Sequence, residues 1–405
     1  QLNSTGTSMF NISGDMNISS ASSSPPFAVS FNATGSSTIN LTGNFNKSNV
    51  STINMVVATG TTNFNILGDF SLTGGTLTKG SGSATINFNG ATTNQFTNSG
   101  TISGGIGFVV ASLKTLNMGE SAITGSGSFT LNGTISLGST DAAGALQTGV
   151  SGGNIRVSGT RTYSSGSTIV YNGTGAQFIG NGFPSGGDVN LTINNSNNVT
   201  LSTSLDIVAL RTLNLAAGNI VIGTQTLTIN GTVTGVGGIV GGASSKMVIG
   251  GTGNFGTLNF SGSNQLLDLT INRTSSGMVT LGDNLEILGT LTQTEGELDL
   301  NGNTLTIGGN FARTFGAIGV DAASSIIING SGTLPSGSAG ITGASLGTLT
   351  MNRSSTTLDA SASVEITNLN LTSGTLNNGA GLAIAPGGTI TREQQGSMTT
   401  SPNNT

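Results

Sequence analysis

The sequence predicts an all-β fold, an elongated parallel β-helix (β-solenoid), from three observations: a long internal repeat, alternation of apolar and polar residues, and a shortage of bulky side chains. The repeat is clearest where LTIN at 191–194 recurs as LTIN at 269–272 and as LTMN at 349–352, a spacing of roughly 80 residues. Each copy has too little apolar bulk to close a core alone. We therefore expect the copies to stack on one another in a coil.

The strands are predicted by short runs in which aliphatic residues alternate with Thr, Asn or Ser, a period of two that gives one buried face. Asn-Gly and Gly-Gly pairs separate the runs and supply the positive φ angles that tight corners require. Helix signals are nearly absent. Representative runs are 37–41, 85–88, 128–131, 226–229 and 304–307.

Two arrangements of these strands are compatible with the repeat. Stacked β-sandwich domains of about 80 to 100 residues are one of them. The other is a solenoid, which is favoured because TLNL at 212–215 resembles TLTI at 226–229, so each copy contains several coils of about 20 residues. The chain has two Tyr and no Trp, little of the aromatic filling that sandwich cores commonly use. The expected number of coils is about 18.

Four regions are expected along the chain. Residues 1–30 contain Pro25-Pro26, which cannot donate to a ladder, and are predicted to be an N-terminal arm or cap. Residues 31–160 are predicted to be an irregular solenoid with wide coils, because 10 of the 16 Phe precede residue 130. The three repeats of about 80 residues occupy a regular solenoid over 161–392, and 393–405 is predicted to be a loose tail.

Composition limits the classes of function. The chain has no Cys and no His, which excludes a disulfide framework and any thiolate metal site. A net charge of −5 with 11 scattered cations gives no basic face for nucleic acid, and no run is apolar enough for a membrane helix. Disorder of the whole chain is disfavoured because the aliphatic residues recur regularly. The first residue is Gln, so we expect a secreted protein whose signal has been removed.

Runs from 191–196 through 227–231 resemble the repeats of very large secreted surface proteins of Bacteroidota and related bacteria. The resemblance covers about 165–392 well and 35–140 loosely. It implies an adhesin-like protein at the cell surface, folded as a right-handed parallel β-helix.

No catalytic, cofactor-binding or metal-binding residue is predicted. Paired carboxylates would be needed for glycoside hydrolysis, and Glu295-Gly296-Glu297 falls at a predicted corner, where carboxylates are usually solvated. Single aspartates at turns are expected to cap local hydrogen bonds rather than bind calcium. The acidic candidates are Asp268, Asp283, Glu286, Glu295, Glu297 and Asp299, and the single aspartates are Asp141, Asp188 and Asp321.

The recurrent Arg273 and Arg353 follow the Asn of the second and third copies. We expect exposed cations whose stems cover apolar surface; the alternative is a contact with an acidic patch on another subunit. Many Asn-x-Ser/Thr triplets occur, and we expect their amides to pair with like residues on adjacent coils. The only predicted aromatic cluster comprises Tyr163, Tyr171, Phe178 and Phe183, for which core packing is favoured.

These patterns predict a structural protein rather than an enzyme. The ends of a coil stack are open ladder edges, which must be capped or used. We therefore expect a secreted subunit of an extracellular filament or surface layer, a homopolymer whose partner is itself, assembling end to end or by strand addition. The alternative is an adhesin segment that binds surface glycans, and a polysaccharide-degrading β-helix enzyme is the least favoured reading. Ice binding through Thr192, Thr270 and Thr350 is disfavoured because they form no regular array.

Overall fold

In a computed structural model the chain is all-β, and its parallel strands stack as a β-solenoid of about 16 turns, which confirms the predicted fold class. The structure describes residues 5–19, 28–31, 34–184, 189–207, 212–359, 364–377, 382–398 and 403–404. It divides into two compact units, 1–203 and 204–405, and each is described by itself.

The strands of the first unit pair in parallel with the strand one coil away. One column contains Thr7–Ile12, Ser36–Leu41, Thr61–Ile66, Ser83–Phe88, Ile106–Val110, Phe129–Leu131 and Arg161–Tyr163. A second contains Met16–Ile18, Phe45–Lys47, Phe70–Leu72, Thr93–Asn98, Thr115–Asn117, Thr134–Leu137, Thr168–Tyr171 and Asn190–Asn194. Shorter sheets are formed by Ala28–Ser30, Thr52–Asn54, Thr76–Thr78, Thr101–Ile102, Ile123–Gly125, Ile155–Val157, Gln177–Phe178 and Val199–Thr200.

The coils of the first unit are unequal in length, and some of them are long. Thr7 pairs with Ser36, which pairs with Thr61, so successive coils pass the same column at positions 7, 36 and 61. Thr134 pairs with Thr168, which makes that coil longer still. These coils exceed the roughly 20 residues expected from the sequence, which accounts for the smaller number of turns.

Phenylalanine rings pack together in the core of the first unit. The ring of Phe70 stacks on Phe45 at a centroid distance of 5.1 Å and on Phe96 at 4.9 Å. Phe88 meets Phe70 edge-on at 6.2 Å. All four rings are buried, so apolar burial and favourable ring geometry act together in this part of the core.

The second unit has more regular coils. One long sheet contains Leu205–Ile207, Thr226–Ile229, Gly242–Ile249, Gln265–Asn272, Leu285–Glu295, Thr304–Ile307, Asn310–Arg313, Ser325–Ile328, Ser345–Asp359, Val364–Asn377, Leu382–Met398 and Asn403–Asn404. Other strands are Thr212–Ala217, Ile220–Val221, Thr232–Gly235, Ile239–Val240, Gly256–Leu258, Met278–Leu281, Glu297–Asp299, Ala317–Gly319 and Ile341–Thr342. Leu227 pairs with Met247, and Met247 pairs with Leu269. This spacing confirms the predicted coil of about 20 residues for this part of the chain.

The long sequence repeat is not a whole number of coils. Leu269 of the second copy pairs with Leu291, whereas Leu349 of the third copy lies in the column of Ile326, Leu305 and Leu285. Leu285 and Leu291 are six positions apart on one strand, so the two copies occupy different columns. The equivalent threonines consequently do not stack on each other, which agrees with the expectation that they form no regular array.

The glycines at the corners allow adjacent coils to approach closely. A Cβ at Gly127 would overlap the carbonyl oxygen of Ile106 in the preceding coil. Gly296 has a φ of +90°, a conformation that side chains disfavour. The alternation predicted from the sequence places the aliphatic residues inside, and many of the corners at which the backbone turns around them are formed by glycine.

Two predicted boundaries fall within strands. Residues 7–12 and 16–18, inside the expected arm or cap, pair with the following coil. The expected end of the regular region at 392 lies within the strand Leu382–Met398. Pro25-Pro26 lies outside the described residues.

Candidate functional site

The acidic residues of the second copy do not converge on one point. The Asp268 carboxylate contacts Lys246 Nζ at 2.8 Å and accepts the Thr290 N–H at 2.9 Å. Asp283 accepts the N–H of Phe260 at 2.7 Å. Glu286 accepts from the side chain of Gln265 at 2.7 Å, and Asp299 from the N–H of Asn301 at 3.1 Å. These carboxylates are therefore engaged locally, with partners that differ from one to the next.

Two of the three single aspartates cap turns, as was predicted for all three. Asp321 Oδ1 accepts the backbone N–H groups of Ala323 and Ser324 at 2.8 and 2.9 Å. Asp141 accepts from Ala143 at 2.9 Å and from Gly153 at 3.3 Å. The hydrogen bond from Ala143 is the main cause that lowers the pKa of the Asp141 carboxyl. Asp188 lies outside the described residues.

Glu295 and Glu297 flank a corner concavity of about 240 Å³, with Ser276 on the preceding coil and Phe315 on the following one. Phe315 is 80% exposed, although most aromatic rings of this chain are buried. Burial, followed by the nearby Asp299 charge, raises the pKa of the Glu297 carboxyl. An exposed ring beside two carboxylates is the arrangement here that best fits a small polar ligand.

The predicted aromatic cluster is divided between the core and a surface cleft. Tyr171 is buried, and its hydroxyl donates to the Ile179 carbonyl at 2.8 Å, as expected for core packing. Tyr163 and the largely buried Phe183 line a cleft of about 460 Å³ with Arg161. Phe178 is half-buried and does not line this cleft. Burial raises the pKa of Tyr163 to about 12.

The prediction that Arg273 and Arg353 are exposed is wrong. Arg273 is 0% and Arg353 1% exposed, among the largest fully buried side chains of the chain. Burial lowers the pKa of both guanidinium groups. Neither group has an acidic partner among the described residues, so backbone carbonyl oxygens supply the compensation for burial.

Each of the two guanidinium groups joins three successive coils. Arg273 Nε donates to the Gly253 carbonyl at 2.6 Å, and Nη2 donates to Thr252 at 2.7 Å. Its Nη1 donates to Gly250 on the same preceding coil and, at 3.1 Å, to Gly231 one coil earlier. The five donors of arginine suit a corner where several carbonyl oxygens point to one place.

Arg353 repeats this arrangement in the third copy. Its Nε and Nη2 donate to the Asn329 carbonyl at 3.0 and 2.7 Å, and Nη2 also reaches Ile307 at 2.9 Å. In the first copy Asn195 takes the position and donates to Gly175 at 2.8 Å. Most of these carbonyl acceptors belong to tetrapeptides that lie about 20 residues before each polar position: NGTG at 172–175, GGTG at 250–253 and NGSG at 329–332. The recurrence of these tetrapeptides together with the Asn or Arg position is the sequence signal for this arrangement.

A buried lysine plays a similar part in the first unit. Lys47 is fully buried, and its Nζ donates to the carbonyls of Asn49 and Gly74 at 2.8 and 2.9 Å and to Asn49 Oδ1 at 3.0 Å. Burial lowers the pKa of this amine. No pattern in the sequence indicates that this isolated cation enters the core.

The strands Thr7–Ile12 and Met16–Ile18, together called the N-terminal edge, are the first members of their columns. Gly6 and Ile12 direct their carbonyls to Ser36 and Thr42 of the next coil. Because successive residues of a strand direct their backbone groups to opposite sides, Thr7, Met9 and Asn11 direct theirs away from it. No described strand pairs with this outer side.

The core is also incompletely covered at the N-terminal edge. Phe10 and Ile12 are only partly buried, whereas Ile39 and Leu41, their partners on the next coil, are fully buried. Met9 lies on the opposite, outer face of the strand and is 67% exposed. An open ladder with uncovered apolar side chains is a template for another strand.

Comparisons with known proteins give no match: no family model, no curated protein and no solved structure is similar to this chain. The described ranges contain no long apolar helix that could cross a membrane. Within the same ranges, no three residues of the types that commonly ligate metals come together as a metal site.

Proposed function

We propose that this chain is a secreted structural protein, a subunit of an extracellular filament or surface layer that assembles through its open coil edges. The observation that supports this proposal is the N-terminal edge, where a strand whose outer side pairs with no described strand and a partly uncovered apolar row occur together. A second strand placed there would satisfy the free backbone groups and bury the exposed apolar area. A contact between two different surfaces of identical copies propagates as an open filament unless the rotation between copies closes a ring.

Electron microscopy of the purified protein, combined with substitutions of Met9, tests this proposal. Met9→Pro removes a backbone N–H that faces outward and leaves the bonds to the next coil in place. Met9→Ser is the matched control, because it shortens the side chain and keeps the N–H. We expect filaments of uniform width from the unmodified protein and from Met9→Ser, and dispersed particles from Met9→Pro. Dispersed particles from the unmodified protein at all concentrations would contradict the proposal.

A glycan-binding adhesin is the second candidate, and the corner concavity at Phe315 favours it. An exposed ring can cover the apolar face of a sugar while carboxylates accept from its hydroxyl groups. Binding to a glycan array that is lost in both Phe315→Ala and Glu297→Gln would support this function. Equal array signals for the unmodified protein and both variants would exclude the concavity as the site.

A further inference from the structure

Side-chain amides of successive coils in the first unit form hydrogen bonds that all point in the same direction along the stack. Asn40 Nδ2 donates to Asn11 Oδ1 at 2.8 Å, Asn65 donates to Asn40 at 2.8 Å, and Asn87 donates to Asn65 at 2.9 Å. Every link runs the same way, with the N–H of the later coil donating to the oxygen of the earlier one. The ladder therefore presents amide N–H groups toward the N-terminal edge.

Amide pairs in two other rows have the same polarity. Asn46 Nδ2 donates to Asn17 Oδ1 at 2.9 Å, and in a separate row further along the unit Asn117 donates to Gln95 at 2.8 Å. Asn11 and Asn17 are the first members of their rows, so the Nδ2 group of each has no described acceptor. The N-terminal edge consequently offers two outward amide donors, six positions apart, beside its free backbone groups.

The strand Leu382–Met398, called the C-terminal coil, pairs with Asn403–Asn404 at Ala383 and Ile384, and beyond these two residues it offers complementary groups. Thr391 is exposed and lies in register with Asn370, whose amide donates to Thr350 on the coil before it at 3.4 Å. The Ser397 hydroxyl lies six positions beyond Thr391, the same spacing as the two asparagines. It bonds the Gly374 carbonyl at 3.3 Å and the Thr375 hydroxyl at 2.8 Å on the preceding coil, and its oxygen can still accept one further hydrogen bond. Ile390 is 48% exposed, although its column partner Leu369 is fully buried. Hydroxyl oxygens can accept from amides, and the uncovered isoleucine matches the uncovered row at the other edge.

We infer that the N-terminal edge of one copy receives the C-terminal coil of a second copy as a parallel strand, with Asn11 donating to Thr391 and Asn17 to Ser397. This inference rests on the proposed self-assembly and adds its direction and register. A head-to-head contact would place amide donors against amide donors. The polarity of the ladders therefore selects the head-to-tail contact, which is heterologous and open-ended.

The double variant Asn11→Asp/Asn17→Asp tests the donors. A carboxylate keeps the oxygen that accepts from Asn40 and Asn46, so the bonds within the molecule remain, but the outward N–H groups are lost. We expect the concentration for half-maximal assembly to rise by about thirtyfold, the factor for two lost neutral hydrogen bonds. Lowering the pH below about 3.9 protonates the carboxylates and restores a donor, so assembly relative to the unmodified protein should recover.

Asn65→Asp is the matched control, because the same change is made inside a ladder. It removes a donor to Asn40 and should lower the stability of the fold while leaving the concentration for assembly unchanged. An equal rise in that concentration for Asn65→Asp would assign the effect to added charge and overturn the inference. Filaments formed by the double variant as readily as by the unmodified protein would overturn it too, while leaving the proposed function intact.

Disulfide cross-linking can show which surfaces of two copies meet. The chain has no cysteine of its own, so only introduced cysteines can form a disulfide. In the inferred register Met9 lies opposite Thr389, at the spacing of paired strands, which a disulfide can bridge. We expect Met9→Cys/Thr389→Cys to form covalent polymers under oxidation, and Met9→Cys alone to remain uncoupled. Covalent dimers of Met9→Cys alone would reveal a head-to-head contact. A protein that never assembles would contradict both the inference and the proposed function.

Discussion

Replacing Arg273 with methionine tests whether a buried guanidinium holds successive coils together. The substitution keeps an unbranched apolar stem but removes donors to the carbonyls of Gly231, Gly250, Thr252 and Gly253. Methionine cannot satisfy these oxygens, and the site is closed to solvent because Arg273 is fully buried. The fold should therefore lose contacts to two earlier coils at once.

The expected loss of unfolding free energy is about 3–5 kcal/mol. Hydrogen bonds to a charged group contribute about 1.5–3 kcal/mol each. Burying the guanidinium costs several kcal/mol, which offsets much of that sum. The loss that remains is comparable to that from breaking a buried ion pair, about 3–5 kcal/mol.

Urea unfolding followed by circular dichroism measures this difference, with Lys246→Met as the matched control. Lys246 also lies in the second unit and pairs with Asp268 at 2.8 Å, but the lysine side chain is 47% exposed. A surface pair of this kind contributes about 0–1 kcal/mol. Hydrogen exchange should further show loss of protection around 250–253 in Arg273→Met, because coils in a stack can open locally.

A loss of less than about 1 kcal/mol for Arg273→Met, equal to that of the lysine control, would refute the reasoning. In that event the carbonyl oxygens would have found water or other donors, and the guanidinium would contribute no net stability. Arg273→Asn is informative as well, since asparagine occupies the corresponding position of the first copy at Asn195. It should lose less stability than methionine if one amide donor reaches a carbonyl.

Three further predictions concern the first unit. Burial raises the pKa of Tyr163 to about 12, so the folded state keeps this proton up to a higher pH than the unfolded state, which loses it near pH 10. The free energy of unfolding should therefore fall as the pH rises from 10 to 12. Tyr163→Phe should weaken that dependence in urea titrations at a series of pH values. Lys47→Met should cost about 1–3 kcal/mol in the same unfolding assay, because three buried acceptors lose their donor; a neutral result would mean that water replaces it. Gly127→Ala should lower the melting temperature, since its Cβ would overlap a backbone oxygen, whereas Gly149→Ala, whose Cβ would meet only a side-chain oxygen at 3.9 Å, should not.

The sequence was sufficient to predict the strands, the corners and the parallel stacking. Runs such as 226–229 alternate because one face is buried, and the structure places Leu227 and Ile229 inside the core. The expectation that asparagines pair along the stack is confirmed at Asn40 and Asn65. These features are local or follow from the coil repeat, so neighbouring residues and spacing carry enough information.

The candidate sites could not be predicted from local patterns and spacing as the strands were. Arg273 has no acidic partner in its copy of the motif, and its acceptors are backbone oxygens, which every residue possesses. Phe315 was not distinguished from the core phenylalanines, because exposure of a single ring depends on where the chain turns. The N-terminal edge was anticipated as an arm or cap, but the direction of its amide donors required coordinates.

Composition and spacing alone determined that this chain winds into stacked parallel coils, because period-2 alternation interrupted by glycine and asparagine corners requires neighbouring coils to bury its aliphatic rows. Tertiary structure decided the length of each coil, the different columns occupied by Leu269 and Leu349, and the burial of two arginines. Each of these depends on which atoms of earlier coils converge at a corner. Those atoms come from residues about 20 to 40 positions apart in the sequence, and only the folded backbone brings them together.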